Sequence, residues 1–168
     1  MEFQYFQTFQ NLDQNQLQSF IQACQRVIIP AEQLMVQQNA PGRRIFFVLE
    51  GEVRVFLSTQ TGEKDLAYLK APTVLGEISF FSGEPSSAHV KAVTQVRALL
   101  MPYDELRQRL HNGDVASSIV MLNMATAIAQ RASAMTRKIS ELYSHQSDPQ
   151  LSELQSTSKG LFGEWSFI

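Results

Sequence analysis

Residues 44–57 have the sequence RIFFVLEGEVRVFL, and this stretch decides the fold class. In its second half, positions alternate between the two faces of an extended chain. One face carries Val53, Val55 and Leu57, and the other carries Glu52, Arg54 and Phe56. A period of two is typical of a β-strand. Gly51 inside this pattern marks a bulge or a close approach of the backbone, and the sequence leaves a packing reason and a ligand-binding reason equally open.

Shorter runs of the same character surround this stretch. QLMVQ, KDLAYLK and HVKAVTQVRALLMP are rich in β-branched or aromatic residues, and turn sequences at Pro41-Gly42 and Ala71-Pro72 help to separate them. About six to eight short strands at this spacing predict a β-sandwich or a jelly-roll barrel. The predicted fold class is therefore α+β, mainly β.

A capped helix precedes the strands. Asp13 and Gln16 have the spacing of a capping box, and apolar residues then follow at helical intervals. This apolar stripe consists of Leu17, Phe20, Ile21 and Cys24. Because a free cysteine on such a stripe usually belongs to the core, we expect Cys24 to be buried rather than reactive.

A long helix is predicted after the strands. It follows a short helix in PYDELRQRLHN, and Asp114 is its predicted cap; the segment VASSIVMLNMATAIAQRASAMTRKISELYSH contains no proline or glycine. One face carries Val120, Met124, Ile128, Ala132, Met135 and Ile139. Roughly thirty helical residues span about 45 Å, which exceeds a small barrel. We expect this face to form a parallel contact in a homodimer; the alternative is that the helix folds back along its own domain.

The end of the chain changes in composition. We expect one domain over residues 1–143, a polar linker over 144–159 and an apolar tail over 160–168. The apolar residues of the tail are Leu161, Phe162, Trp165, Phe167 and Ile168. Such a segment either packs on its own domain or binds a protein partner, and the sequence leaves both open.

The composition excludes several classes of function. A net charge of -2 without a basic run argues against nucleic-acid binding. No apolar run approaches the roughly 20 residues of a membrane helix, and the N-terminus lacks the apolar segment of a signal peptide. His89, His111 and His145 lack metal-ligand spacing, and no nucleophile motif is present. We therefore expect a cytoplasmic protein that is not an enzyme and binds neither DNA nor a membrane.

Three motifs resemble those of the cyclic-nucleotide-binding domain superfamily. They are Leu49-x-Gly51-x-Val53, Leu75-Gly76-Glu77 and the segment from Pro85 to Val90. This superfamily includes the catabolite-activator/FNR-like regulators and the regulatory subunit of cAMP-dependent protein kinase. The resemblance implies a double-stranded β-helix, or jelly-roll barrel, of cyclic-nucleotide-binding type, flanked by the N-terminal helix and the long C-terminal helix. The residues after His145 do not resemble the DNA-binding domain of the catabolite-activator-like regulators, so we expect none.

The resemblance also implies a ligand site. Glu77 would accept a hydrogen bond from a ribose hydroxyl, and amides of the turn at Gly76 and Ile78 and of the small pair Ser87-Ala88 would donate to a cyclic phosphate. The family's phosphate-binding arginine is replaced by Ser86. A hydrogen bond to a charged group contributes about 1.5–3 kcal/mol and a neutral one about 1 kcal/mol. We therefore expect tight cyclic AMP binding of the family type to be lost.

Two functional hypotheses follow. The first is a stand-alone regulatory module that acts through protein–protein contacts and has a degenerate or altered pocket. The second is a genuine receptor that binds cAMP, cGMP or a cyclic dinucleotide through a substitute cation. Candidate cations are Arg43, Arg44, Lys91 and His89, although each is also an ordinary surface residue by type. No cofactor is firmly indicated beyond this cyclic nucleotide.

Overall fold

Eight strands form two antiparallel sheets of four strands each in residues 2–145, the part of the chain that this computed structural model describes. In chain order, the strands are β1 (Gln25–Ile29), β2 (Leu34–Val36), β3 (Arg44–Glu50), β4 (Glu52–Thr59), β5 (Gly62–Lys70), β6 (Thr73–Leu75), β7 (His89–Ala92) and β8 (Val96–Pro102). The first sheet has the order β1-β8-β3-β6 and the second the order β2-β7-β4-β5. This arrangement confirms the predicted jelly roll.

Four α-helices accompany the sheets. They are α1 (Gln14–Ala23), α2 (Glu77–Ser82), α3 (Tyr103–His111) and α4 (Val115–His145), and two short 3-10 turns precede them at Glu2–Tyr5 and Gln7–Phe9. The predicted caps are confirmed. The Asp13 carboxylate accepts from the Gln16 amide at 2.8 Å in a full capping box, and the Asp114 carboxylate accepts from the Ser117 amide at 2.7 Å.

The chain separates into two compact units, and the division falls within α4 between Ile128 and Ala129. The first unit holds both sheets and the start of α4. In the second unit, α4 continues to His145. The apolar tail predicted at 160–168 lies outside the described residues. No helix within residues 2–145 has both the length and the apolar character needed to cross a bilayer.

β3 is buried on both faces and separates two apolar cores. Ile45 and Phe47 belong to the first core, whereas Phe46 and Val48 belong to the second. The second core is built from strand residues of both sheets, including Val53, Leu75, Val90, Val96 and Leu100. The first core lies on the helical side, with Phe6, Phe9, Phe20, Leu106, Val120 and Met124.

An aromatic cluster forms the centre of the first core. The ring of Phe20 lies 5.6 Å from that of Phe47 and 5.8 Å from that of Phe9. Phe6 and Phe9 come from the N-terminal turns, which the sequence analysis did not assign to the core. Cys24 borders the same cluster, and burial raises the pKa of its thiol to about 12. The expected core role of Cys24 is confirmed.

The expected dimer face of α4 needs a correction at its first two positions. Val120 and Met124 are buried in the first core of their own domain, so neither side chain is available to a second copy. A helical period identifies an apolar stripe but does not say which surface covers it. Ile128 is half-buried, and Ala132, Met135 and Ile139 are exposed. For these later positions the dimer contact stays a prediction.

Gly51 has a packing role in this fold. Its φ is +99°, and a Cβ there would lie 2.5 Å from the carbonyl oxygen of Gln95. A side chain is therefore excluded by both the backbone conformation and the neighbouring chain.

We expect Phe20→Ala to lower the free energy of unfolding by about 3–5 kcal/mol, because the substitution leaves a cavity beside the rings of Phe9 and Phe47. Chemical denaturation measures this loss. Tyr5→Ala is the matched control, since Tyr5 is 72% exposed in the same region and its truncation should change stability by about 0.5 kcal/mol or less. Equal losses for the two variants would contradict the described core.

Candidate functional site

A cavity of about 310 Å³ lies beside the beginning of β3. We call it the first cavity. Its polar wall contains Arg43, Arg44, Gly76 and Ser86, and the loop at Ala40-Pro41-Gly42 closes one side. Its apolar wall contains Met35, Val36 and Phe46. A concave site with an apolar wall and a few polar groups is the usual form of a small-molecule pocket.

Gly76 allows α2 to begin directly against β3. It caps α2 in the left-handed conformation with φ +86°, and a Cβ there would lie 2.3 Å from the carbonyl oxygen of Arg44. No side chain fits this contact. The glycine therefore fixes the distance between Arg44 and the helix start, which the sequence motif alone did not reveal.

The structure brings two of the six predicted ligand residues to the first cavity, namely Gly76 and Ser86. The other four do not line this cavity: Glu77 and Ala88 are buried, whereas Ile78 and Ser87 are exposed. Their predicted contacts with a ligand stay predictions.

Ser86 has a fixed backbone and an unused hydroxyl. Its amide donates to the carbonyl oxygen of Ala40 at 2.9 Å, and its own carbonyl oxygen accepts from the Asn39 amide at 2.8 Å. The residue is only 6% exposed, yet its hydroxyl makes no hydrogen bond to any residue within 2–145. Buried hydroxyl groups normally have a partner, so this one is suited to a polar ligand group or a water molecule.

Arg44 is the cation best placed for a ligand in this cavity. Because side chains alternate along a strand, Arg44 falls on the same face of β3 as Phe46, which also lines the cavity. Arg44 forms no ion pair with another residue of the described chain. Arg43 also lines the cavity, but its guanidinium lies 4.0 Å from the Asp104 carboxylate, and both side chains are mostly exposed. Such a pair is weak.

The other two candidate cations are engaged on the second sheet. Lys91 forms an ion pair with Glu32. His89 accepts a hydrogen bond from the Gln38 amide through Nδ1 at 3.2 Å, and its ring stacks on that of Phe56 at 4.9 Å. These contacts keep both residues in structural roles.

Arg54 completes this outer surface. Its guanidinium lies 4.3 Å from the ring centroid of Phe56 and bonds to Asp65 and Glu63. The bonds from Arg54 and then from the Tyr68 hydroxyl hold the pKa of Asp65 below its ordinary value. This cover accounts for the burial of Phe56, which the sequence placed on the face of β4 opposite Val53.

A second cavity of about 350 Å³ shares the wall Pro41, Gly42 and Arg43 with the first. Its remaining lining consists of Ser79, Gly83, Pro85, Tyr103, Asp104 and Arg107. The sequence analysis did not identify this cavity. The Pro41-Gly42 turn was its available signal, because a Cβ on Gly42 would lie 2.2 Å from the Cβ of Ser79. The turn therefore packs directly on α2.

Within residues 2–145, no group of three or more histidine, cysteine, aspartate or glutamate residues has an arrangement that could hold a metal ion. The two cavities instead offer guanidinium, hydroxyl and apolar groups, together with the Asp104 carboxylate in the second.

Comparisons with known proteins concern this same region. The family model described as "Cyclic nucleotide-binding domain" matches residues 26–113. Over 100 residues, the chain is 26% identical to the CRP-like cAMP-activated global transcriptional regulator of Mycobacterium tuberculosis. The aligned region covers 59% of this chain and 45% of that protein. Over 91 residues it is 33% identical to a cyclic nucleotide-gated potassium channel of Rhizobium etli, covering 54% of this chain and 24% of the channel. The chain thus spans less than half the length of these curated relatives.

A solved structure supports the fold. The catabolite activator protein of Thermus thermophilus matches with a TM-score of 0.72 and 22% identity, over 82% of this chain and 63% of that one.

We expect Gly42→Ala to lower the free energy of unfolding by about 1–3 kcal/mol, because its methyl group overlaps Ser79 and overpacking costs about this much. Urea denaturation measures the change. In a Ser79→Gly background the nearest remaining atom is the Cα at 3.5 Å, an ordinary contact, so the added cost should fall below about 1 kcal/mol. Equal losses of stability in both backgrounds would contradict the predicted overlap with the Ser79 side chain.

Proposed function

Because the chain belongs to the cyclic nucleotide-binding domain family, we propose that it is a regulatory module whose first cavity binds the phosphate of a nucleotide through Arg44 and which acts on a protein partner. The observation that carries the proposal is the position of Arg44, on the face of β3 that also carries Phe46 and beside Gly76 and Ser86. By the resemblance, the phosphate-binding arginine of the family corresponds to Ser86 in this chain. Arg44 supplies the missing charge from the same polar wall.

The chemistry of the cavity supports this assignment. A guanidinium presents a planar fork of donors that fits a phosphate, and Arg44 has no competing carboxylate among residues 2–145. The buried hydroxyl of Ser86 adds one neutral donor. Gly76 brings the start of α2 to the cavity, and the apolar wall offers Met35, Val36 and Phe46 to a base.

The regulatory output is proposed to pass through protein contacts of α4. Within the second unit, Met135 is 68% exposed and Ile139, one helical turn later, is 39% exposed. Large apolar side chains at this exposure suit a helix–helix contact with a second copy. A ligand would regulate that contact only if it bound two states of the module with different affinity.

A second candidate is a static module that binds no nucleotide. It is favoured by one observation, namely that the serine at position 86 offers a phosphate no charge. Calorimetric titration with cyclic AMP or cyclic GMP distinguishes this static module from a receptor.

We expect Arg44→Ala to weaken binding of cyclic AMP or cyclic GMP at least about tenfold, because it removes a charge-assisted contact. Isothermal titration calorimetry measures the affinity. Arg26→Ala is the matched control, since Arg26 is also an exposed arginine, lies on β1 and lines neither of these two cavities. Ser86→Arg in the Arg44→Ala protein should recover the affinity by returning a guanidinium to the family position. Wild-type binding that is absent, or unchanged by Arg44→Ala, would contradict the proposal.

We expect Met135→Glu to weaken self-association at least about tenfold, because a carboxylate in an apolar helix contact loses hydration without a partner. Sedimentation equilibrium measures the association. Ser133→Glu adds the same charge to an exposed position two residues earlier, where the helical rotation points it to another face, and should leave association unchanged. A wild-type chain that is monomeric at high concentration, or equal effects of the two variants, would exclude this dimer contact.

A further inference from the structure

The second cavity has the chemistry of a second anion site. Arg43 and Arg107 contribute two guanidinium groups to its wall, and Asp104 is the acidic residue in its lining. Two positive charges and one negative charge leave an excess of one positive charge, in a chain whose net charge is -2. Arg107 is exposed and forms no ion pair with another described residue. Its guanidinium is therefore available to a ligand.

A buried hydroxyl lines this cavity as well. Ser79 is only 7% exposed, and its hydroxyl has no hydrogen-bond partner within the described chain. The ring of Tyr103 is held by Phe80, with the two ring centroids 4.8 Å apart, while the Tyr103 hydroxyl likewise has no partner among residues 2–145. Unsatisfied buried polar groups in a native protein commonly mark a site for water, an ion or a ligand. Each cavity thus combines an unpaired arginine with an unused buried serine hydroxyl.

The two cavities are neighbours but not one space. They share Pro41, Gly42 and Arg43, and the contact between Gly42 and Ser79 fills the position between them. A single phosphate in the first cavity cannot also bond to Ser79 and Arg107. A ligand with two separate phosphate groups can bond to the donors of both cavities if it passes over Arg43, which lines both.

We propose that the ligand of this module is a dinucleotide with two separate phosphate groups, one held at Arg44 and Ser86 and the other at Arg107, Ser79 and Tyr103. This inference rests on the proposed nucleotide site of the first cavity and names the class of nucleotide. Arg43 borders both cavities and interacts with both phosphates. Its weak pair with Asp104 leaves it free to turn toward them.

Calorimetric titration of the full chain tests the proposal with cyclic AMP, cyclic di-AMP, cyclic di-GMP and linear pApA. We expect at least one of the ligands with two phosphates to bind about tenfold or more tightly than cyclic AMP. The cyclic and linear probes distinguish a closed from an open dinucleotide. If none of the three binds more tightly than cyclic AMP, the proposal is wrong.

Variants then separate the two cavities. Arg107→Ala should weaken the dinucleotide about tenfold and leave cyclic AMP within about twofold, because a charged hydrogen bond of one phosphate is lost. Arg44→Ala should weaken both ligands, and the control Arg26→Ala neither. Circular dichroism and the melting temperature verify that each variant is folded, which we expect because Arg107 and Arg26 are exposed.

The outcomes distinguish the two proposals. If cyclic AMP binding depends on Arg44 but dinucleotide binding is indifferent to Arg107, the second anion site is wrong and the nucleotide site of the first cavity stands. If Arg107→Ala weakens the dinucleotide while Arg44→Ala has no effect on either ligand, the second site stands and the role of Arg44 is wrong. If neither ligand binds the wild-type chain, both proposals are wrong.

Discussion

The two-residue period of β3 is the constraint on which the rest of the molecule depends. Ile45 and Phe47 fill the core shared with the helices, while Phe46 and Val48 fill the core between the sheets. A shift of one residue would exchange these two sets, so both cores hold the strand in register. The same period places Arg44 on the cavity side of the sheet. The position of the cation is therefore a consequence of core packing rather than of a flexible loop.

Close contacts with α2 and α3 also hold the Pro41-Gly42 turn and the start of β3 in place. Gly76 brings the start of α2 onto the Arg44 carbonyl oxygen, and Gly42 brings the turn onto Ser79 of the same helix. On α3, the Tyr103 amide donates to the carbonyl oxygen of Arg43 at 2.9 Å. One short segment thus contacts a strand and two helices. The backbone of Arg43 and Arg44 is therefore fixed before a ligand binds, which lowers the ordering cost of binding.

The sequence predicted those features that depend on local pattern. The caps at Asp13 and Asp114 follow from spacing alone, and both are present in the structure. β4 is a strand as predicted, but its burial does not alternate, because the pairing with β5 shifts in register between Val55 and Phe56. β6 was missed because three residues after a proline carry no readable period. The N-terminal aromatic residues were missed because their burial depends on contacts with distant Phe47.

The site could be predicted only in part for the same reason. The motif at Gly76 indicated a cavity, but the choice of Arg44 over Lys91 and His89 required the pairing of strands and the partners of each cation. The second cavity brings together residues up to 66 positions apart, from Pro41 to Arg107. A local sequence pattern cannot predict a contact over that separation.

The N-terminal part of the aromatic core matters for the choice of fragments of this chain. The family match begins at residue 26, yet Phe6, Phe9 and Phe20 cover one side of the first sheet and lie before it, as Val120 and Met124 lie after residue 113. The autonomous folding unit is thus wider than the segment recognisable by descent, and a fragment trimmed to the homologous stretch would expose Phe47 to water.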